Sequence, residues 1–243
     1  MQKLELVFRY GKSAYELWKD LVSCLIDKVA ENSAELYGEC MPISSIGRRI
    51  KARKSFNVKT QALEIHCAEL PDYDLVSLQV EISEPDAGWF SDWIDVFVGS
   101  PLFIQAWLVN SDYDFWQNAN DPIEYRSRGR STRGLPMISN GLPRPLRQKI
   151  IDTSGNLGLR VLKKGYVEAI GSPMWLSNGF MRASGVSLDD IEQFDFLKVV
   201  QLENGVVEIQ SAEGGFSDDS SANVQRTLRK VLFENRGRGE KRG

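Results

Sequence analysis

The chain has 243 residues, 42% hydrophobic and 26% charged, with six tryptophans, so it can bury a sizeable core and is too apolar for disorder. Its 30 Lys+Arg against 33 Asp+Glu leave a formal charge of −3, which excludes the overall basic bias of a nucleic-acid binder. No apolar stretch approaches the roughly 20 residues needed to cross a bilayer, and the start from Met1 to Tyr10 lacks the features of a secretory signal, so a cytoplasmic location and no membrane partner are expected.

In chain order, Leu4, Leu6 and Phe8 alternate with polar residues, the period of a strand. Ser13 with Glu16 makes a capping box, and Ala14, Leu17, Trp18, Leu21, Val22, Leu25 and Val29 then recur at helical spacing. Residues 63–67 and 75–82 read as strands, and 102–109, rich in β-branched and aromatic residues, as a buried one. From Ser127 to Pro145 the density of Gly and Pro predicts a surface crossing without regular structure.

Further on, Ser187 followed by Asp189 and Asp190 starts a short helix reaching about Phe194. Residues 196–202 and 206–210 flank Asn204-Gly205, the favoured pair of a type I′ hairpin turn. A last helix is expected near Ser221 to Glu234, with Val224, Leu228, Val231 and Leu232 facing inward. There is no internal repeat and no βαβ rhythm. The pattern predicts an α+β fold, a mixed or mainly antiparallel sheet with helices from the two ends packed on it. Residues 1–234 should form one domain, and 235–243 a mobile basic tail.

Charge is segregated along the chain. Between Thr60 and Tyr125 there is no lysine or arginine, yet there are thirteen acids: Glu64, Glu69, Asp72, Asp74, Glu81, Glu84, Asp86, Asp92, Asp95, Asp112, Asp114, Asp121 and Glu124. Residues 125–149 then hold no acid but carry Arg126, Arg128, Arg130, Arg133, Arg144, Arg147 and Lys149. The acidic stretch favours a basic partner, and the two stretches could also neutralise each other across the fold. The arginine loop, with Trp116 and Tyr125 just upstream, supports a competing reading as a nucleic-acid-binding regulatory module.

Signs of catalysis are sparse. Cys24, Cys40 and Cys67 are odd in number and contain no Cys-x-x-Cys, so neither a disulfide framework nor a zinc site is suggested, and buried thiols are expected. The only histidine, His66, shares a strand face with Glu64 and reads as a packed or surface residue. Phosphate-loop, dinucleotide, nucleophile-elbow and His-Glu-x-x-His motifs are absent. The acid pairs Asp72/Asp74, Asp189/Asp190 and Asp218/Asp219 are explained by helix starts and loops. No enzyme activity, metal or cofactor is expected.

One stretch carries a resemblance. Leu142-Pro-Arg-Pro-Leu-Arg-Gln-Lys-Ile-Ile-Asp-Thr-Ser-Gly-Asn156, then Gly165-Tyr-Val-Glu-Ala-Ile-Gly171 and Met174-Trp-Leu176, resembles the fifty-second immunity-protein family of bacterial polymorphic-toxin systems. Within that family it is similar to immunity partners of type VI secretion nuclease effectors. The departure is at Leu157 and Leu159, where the pattern has Pro and Arg around Gly158. The resemblance implies a protein that neutralises a cognate nuclease toxin by stoichiometric blockade, the toxin having a restriction-endonuclease-like fold.

A signature of core and turn residues identifies a fold, so inhibitory contacts should lie elsewhere. The acidic stretch is the natural candidate: Asp72, Asp74, Glu84, Asp86, Asp92 and Asp95 as carboxylates, and Trp89 and Trp93 as anchors if the Pro-Asp-Ala-Gly turn presents at least one of them outward, the alternative being that both tryptophans belong to the core. Blockade of the active site, holding the toxin inactive, and disassembly of a toxin oligomer all remain open, as does the chain's own oligomeric state.

Overall fold

The computed structural model describes residues 1–11, 13–25, 32–83, 88–212 and 214–234. The expected tail at 235–243, and Val29 at the end of the predicted first helix, lie outside the described residues. Strands β1 (Gln2–Arg9), β2 (Ser33–Leu36), β3 (Glu39–Pro42), β4 (Ser55–Lys59), β5 (Leu63–Leu70), β6 (Leu75–Ile82) and β7 (Phe103–Asn110) come from the first half. Helices α1 (Ala14–Cys24), α2 (Ile43–Ile50), α3 (Trp89–Val98), α4 (Ser111–Asn118) and α5 (Pro122–Ser127) are interleaved with and follow them.

The second half supplies β8 (Met137–Ser139), β9 (Lys149–Ile151), β10 (Val161–Lys163), β11 (Tyr166–Glu168), β12 (Met174–Leu176), α6 (Asn178–Ser184), α7 (Leu188–Glu192), β13 (Leu197–Gln201), β14 (Val207–Ser211) and α8 (Ala222–Arg229). Ten strands form one sheet in the order β13-β14-β12-β7-β1-β6-β5-β4-β2-β3, and every neighbouring pair is antiparallel. The fold is α+β and antiparallel, as the absence of a βαβ rhythm requires. Two small ribbons, β8-β9 and β10-β11, stand apart from it.

Alternation on the central strand divides two cores. Leu4, Leu6 and Phe8 of β1 face a first core with α1, α2 and α3, which extends to Phe56 and Val58 on β4 and to Ala34 and Leu36 on β2. Val7, from the opposite slots of the same strand, enters a second core with Phe180 of α6, Ile191 of α7 and Leu228 of α8. Two of the helices, α1 and α7, are fixed by local chemistry. Ser13 and Glu16 cap α1 reciprocally, and Ser187 and Asp190 do the same for α7.

The two cores differ in extent. The first covers the sheet nearly from edge to edge, while the second covers the half around β14, β12 and β7. Beyond β1 the second face keeps Ala68, Leu70 and Leu75 at the β5-β6 turn end and is otherwise polar: Ser77, Gln79 and Glu81 on β6 are half-buried, and His66 on β5, with Ser55, Asn57 and Lys59 on β4, is exposed. β7, enclosed on both faces, is buried along seven of its eight residues.

Three local expectations are corrected. At Asn204-Gly205 only Gly205 has a positive φ, 77°. The connection is a three-residue loop closed by Gly205 N–H to Leu202 O and Leu202 N–H to Val206 O, and not a two-residue type I′ turn. Asn204 leaves that role because its side chain is recruited elsewhere, donating to Val98 O at the end of α3. Cys40 is exposed, since the edge strand β3 has no cover, whereas Cys67 is buried. The loop after α5 is not wholly irregular, because Met137–Ser139 pairs with Lys149–Ile151.

Candidate functional site

The site lies where the second core stops. Lys3 and Glu5 occupy the same face of β1 as Val7, a central position in which polar side chains need partners. α4 begins directly after β7, capped by the Asn110 side chain on Tyr113 N–H, and this carries Asp114 over β1. Lys3 Nζ lies 2.9 Å from Glu5 and 2.5 Å from Asp114, and Arg160 pairs with Glu5 and lies 3.3 Å from Asp114. The two carboxylates are almost wholly enclosed, at 3% and 4% side-chain exposure.

Arg160 is placed by its neighbours. Its backbone N–H donates to Asn118 Oδ1 at 2.8 Å, and Asn118 Nδ2 donates to Asp114 and to Gly158 O. Gly158 N–H donates to Gln117 Oε1, and a Cβ at position 158 would stand 2.7 Å from Gln117 Cγ, so this turn takes only glycine. Arg229 of α8 holds the same turn from below through the carbonyls of Leu157 and Leu159. The clamp on this turn reads the carbonyls of Leu157 and Leu159 and not their side chains.

Protonation follows from this enclosure. Burial pushes the Glu5 carboxyl up, but Arg160 and then Lys3 outweigh it and hold the group near 2, below its ordinary 4.5. Asp114 moves the other way, because burial and the Glu5 charge together exceed the pull of Arg160 and Lys3. On acidification Asp114 takes the first proton. Lys3 and Arg160 are both held more firmly charged than usual, Lys3 despite its burial and Arg160 chiefly by Glu5.

Two cavities open on either side of this cluster. One, of about 450 Å³, is bordered by Glu81, Ser111, Asp112, Asp114, Glu124 and Arg128 in addition to Lys3 and Arg160. Glu81 sits directly across from Lys3 in the β1-β6 register. The quartet is neutral by itself; Glu81, Asp112 and Glu124 also border this cleft, together with Arg128 and the Met1 amino group, and Asp112 lies 3.8 Å from Arg130. The second cavity, about 340 Å³, lies between the sheet and the β10-β11 ribbon.

The ribbon is fastened over it by Gln105, whose side chain donates to Val167 O and accepts from Val167 N–H at 2.9 and 3.0 Å. Two side-chain atoms are buried without a hydrogen-bond partner among the described residues, Trp107 Nε1 and Ser111 Oγ.

The carboxylates and tryptophans singled out from the sequence are not assembled here. Asp72 is exposed and Asp74 half-buried on the tight turn between β5 and β6. Glu84 and Asp86 lie outside the described residues. Asp95 is exposed on the outer side of α3, which packs on the other face of the sheet; of the Asp92 side chain nothing is described. Trp89 and Trp93 are buried at 8% and 4% exposure, so neither is presented outward. The turn residues precede a helix whose apolar side takes both rings inward, and Trp89 Nε1 donates to Gln2 Oε1.

What the sequence did supply is the charge: Glu81, Asp112, Asp114 and Glu124 all belong to the acidic stretch. Lys3, Glu5 and Arg160 went unnoticed. The signal for them was the alternation of β1 itself, which sets Lys3, Glu5 and Val7 together on one face. Met174 and Trp175 of the resemblance motif are buried at 0% and 2%, as a core element requires. His66 is an exposed residue at the margin of the second cavity.

The arginine loop is also placed. Arg128 stacks on Phe115 and Arg130 on Trp116, each 3.6 Å from the ring centre, and Trp116 packs edge-on against buried Tyr125. These aromatic faces are taken by the protein's own guanidinium groups. Among the described residues no group of three or more His, Cys, Asp and Glu side chains is arranged to hold a metal ion, and no helix is long and apolar enough to cross a membrane.

The sequence matches no protein-family model and no curated protein. Among solved structures it is similar to a Pseudomonas aeruginosa T6SS protein, at 13% identity and a TM-score of 0.51, over 96% of this chain and 73% of that one. At that identity the likeness is one of fold.

Proposed function

We propose that this chain is a non-catalytic immunity protein of a type VI secretion system, binding a cognate nuclease toxin in the cytoplasm and neutralising it by stoichiometric protein–protein blockade. The observation that carries the reading is the cleft over β1, where four carboxylates of the acidic stretch, Glu81, Asp112, Asp114 and Glu124, line one cavity. A nuclease needs cationic side chains to hold phosphates, and such side chains fit a cleft lined by Glu81 and Glu124. The resemblance at residues 142–176, and the fold shared with a T6SS protein along nearly the whole chain, support the same assignment.

The test is co-purification with the adjacent toxin domain and a nuclease assay with one equivalent of this chain. The expected outcome is a stable complex with suppressed cleavage, and at least a tenfold loss of affinity, about 1.4 kcal/mol, on reversing Glu81 and Glu124 to lysine. Unchanged affinity in that double variant would remove the cleft from the interface. The alternative, a nucleic-acid-binding module on Arg126 to Lys149, is favoured by seven cations without an acid on an exposed segment. It requires retention on nucleic acid that weakens steeply with salt, and the occupied faces of Phe115 and Trp116 leave it no stacking platform there.

A further inference from the structure

The β8-β9 ribbon and its loop stand clear of the fold. Every residue from 136 to 149 is exposed except the half-buried Asn140. The root is fixed: Ile151 is buried with Ala119 and Tyr125, its N–H donates to Asn120 O, and Asp152 N–H donates to Pro136 O. Beyond the root, one side chain ties the loop. Asn140 Oδ1 accepts from the backbone N–H groups of Leu142 and Gln148, and Asn140 Nδ2 donates to Leu146 O. Pro143 and Pro145 restrict φ at two further positions.

What this ordered arm displays is aliphatic and cationic. Leu142 and Leu146 in the loop are 49% and 62% exposed, and Met137 and Ile138 on β8 are 38% and 45% exposed. Successive strand residues point to opposite faces, so Met137 and Ile138 leave both faces of the ribbon uncovered. Arg144, Arg147 and Lys149 lie among them, and residues 125–149 hold no acid. Clustered exposed apolar side chains mark an interaction site, and arginine and methionine are enriched in protein interfaces. A flat surface would cover one face of the ribbon, whereas a concave one covers both. Nucleic acid is the poorer match, because no aromatic residue occurs between Tyr125 and Tyr166 to stack on a base.

We infer that the β8-β9 arm inserts into a carboxylate-lined concavity of a protein partner, its aliphatic side chains buried against the walls and Arg144 and Arg147 paired with the partner's carboxylates. The partner is the toxin, so the inference rests on the immunity reading above. A nuclease offers such a place, since phosphodiester cleavage employs carboxylates to position water or a metal. The arm's root packs on α4 and α5, which also border the cleft over β1, so arm and cleft are close enough to engage one partner. An arm held in shape before binding loses less freedom when it docks.

The experiment is calorimetric titration of the full chain with the adjacent toxin domain. Arg144→Ala with Arg147→Ala and, separately, Leu142→Ser with Leu146→Ser should each weaken binding about tenfold or more. Arg144→Glu with Arg147→Glu should weaken it further, by setting like charges against each other. Arg182→Ala, at an exposed cation on α6, is the control and should leave affinity unchanged. Because the arm is exposed, the unfolding midpoint of each variant should equal the parent's. Absence of a complex with the parent chain overturns the immunity reading and this inference together. A parent complex that the arm variants match in affinity overturns the arm alone, as does an equal loss in Arg182→Ala. Equal losses in the alanine and glutamate pairs would overturn the acidic character of the partner site. Sedimentation of the parent with phosphatidylglycerol vesicles, lost in the arm variants, would overturn the inference in favour of a membrane surface.

Discussion

The half of the sheet around β7 and the half around β5 are built from the same antiparallel pairing, yet they tolerate different residues. β7 is sandwiched by helices on both sides and reads as a continuous apolar run, whereas β5 alternates between a buried face and an open polar one. The boundary between them, β1, is where buried charge is found. A strand that is covered on one end of a face and uncovered on the other is the place where polar groups can be enclosed yet still reach partners at the margin. The difference shows that buried charge sits at the limit of the second core and not at its centre.

That comparison can be broken most severely by removing Glu5. Glu5→Ala leaves Lys3 and Arg160 without their shared partner inside the boundary, and is expected to cost about 4 kcal/mol, measured as the loss in urea-unfolding free energy. Acid should act on the same carboxylate. Its folded pKa of about 2 lies below the ordinary 4.5, so its contribution is complete above 4.5 and is lost as pH falls from there towards 2. Unfolding midpoints between pH 6 and pH 2.5 should drop over that window, and a Glu5→Gln variant should show a shallower fall.

Within the doubly covered half, Gly171→Ala should cost roughly 2–3 kcal/mol, because an added Cβ would stand 2.5 Å from Leu108 O on β7. Thermal melts would check it, and an unchanged midpoint would show that β7 can yield. On the open half, His66→Ala should change stability by less than about 0.5 kcal/mol, as its side chain is exposed on the uncovered face. A loss of several times that size would mean that a cover exists there.

Much of the scaffold could be read from the chain because it is local. The capping boxes at Ser13 and Ser187, the alternation of β1 and the apolar run of β7 each specify an element through residues a few positions apart. The connection at Asn204-Gly205 was misread in type because Asn204 is drawn to Val98, a contact 106 residues away. For the Trp89 to Trp93 stretch the turn residues upstream and the helical spacing point in opposite directions, and the burial of both rings follows the spacing. The charge cluster was invisible for a similar reason: Lys3 meets Asp114 across 111 residues and Arg160 meets Glu5 across 155, and no local pattern pairs them.

Gln105 has a kinetic meaning. A ribbon of three residues per strand should fray quickly, and its amides should exchange with solvent on that timescale. Here a side-chain amide presents the same donor and acceptor as a peptide group and pairs with Val167 as a neighbouring strand would, from a position with 0% exposure. The β10-β11 ribbon is thereby latched, and lifting it requires both bonds to break together. Lifting the ribbon becomes an opening event of the protein, readable as slow hydrogen exchange at the Val167 amide.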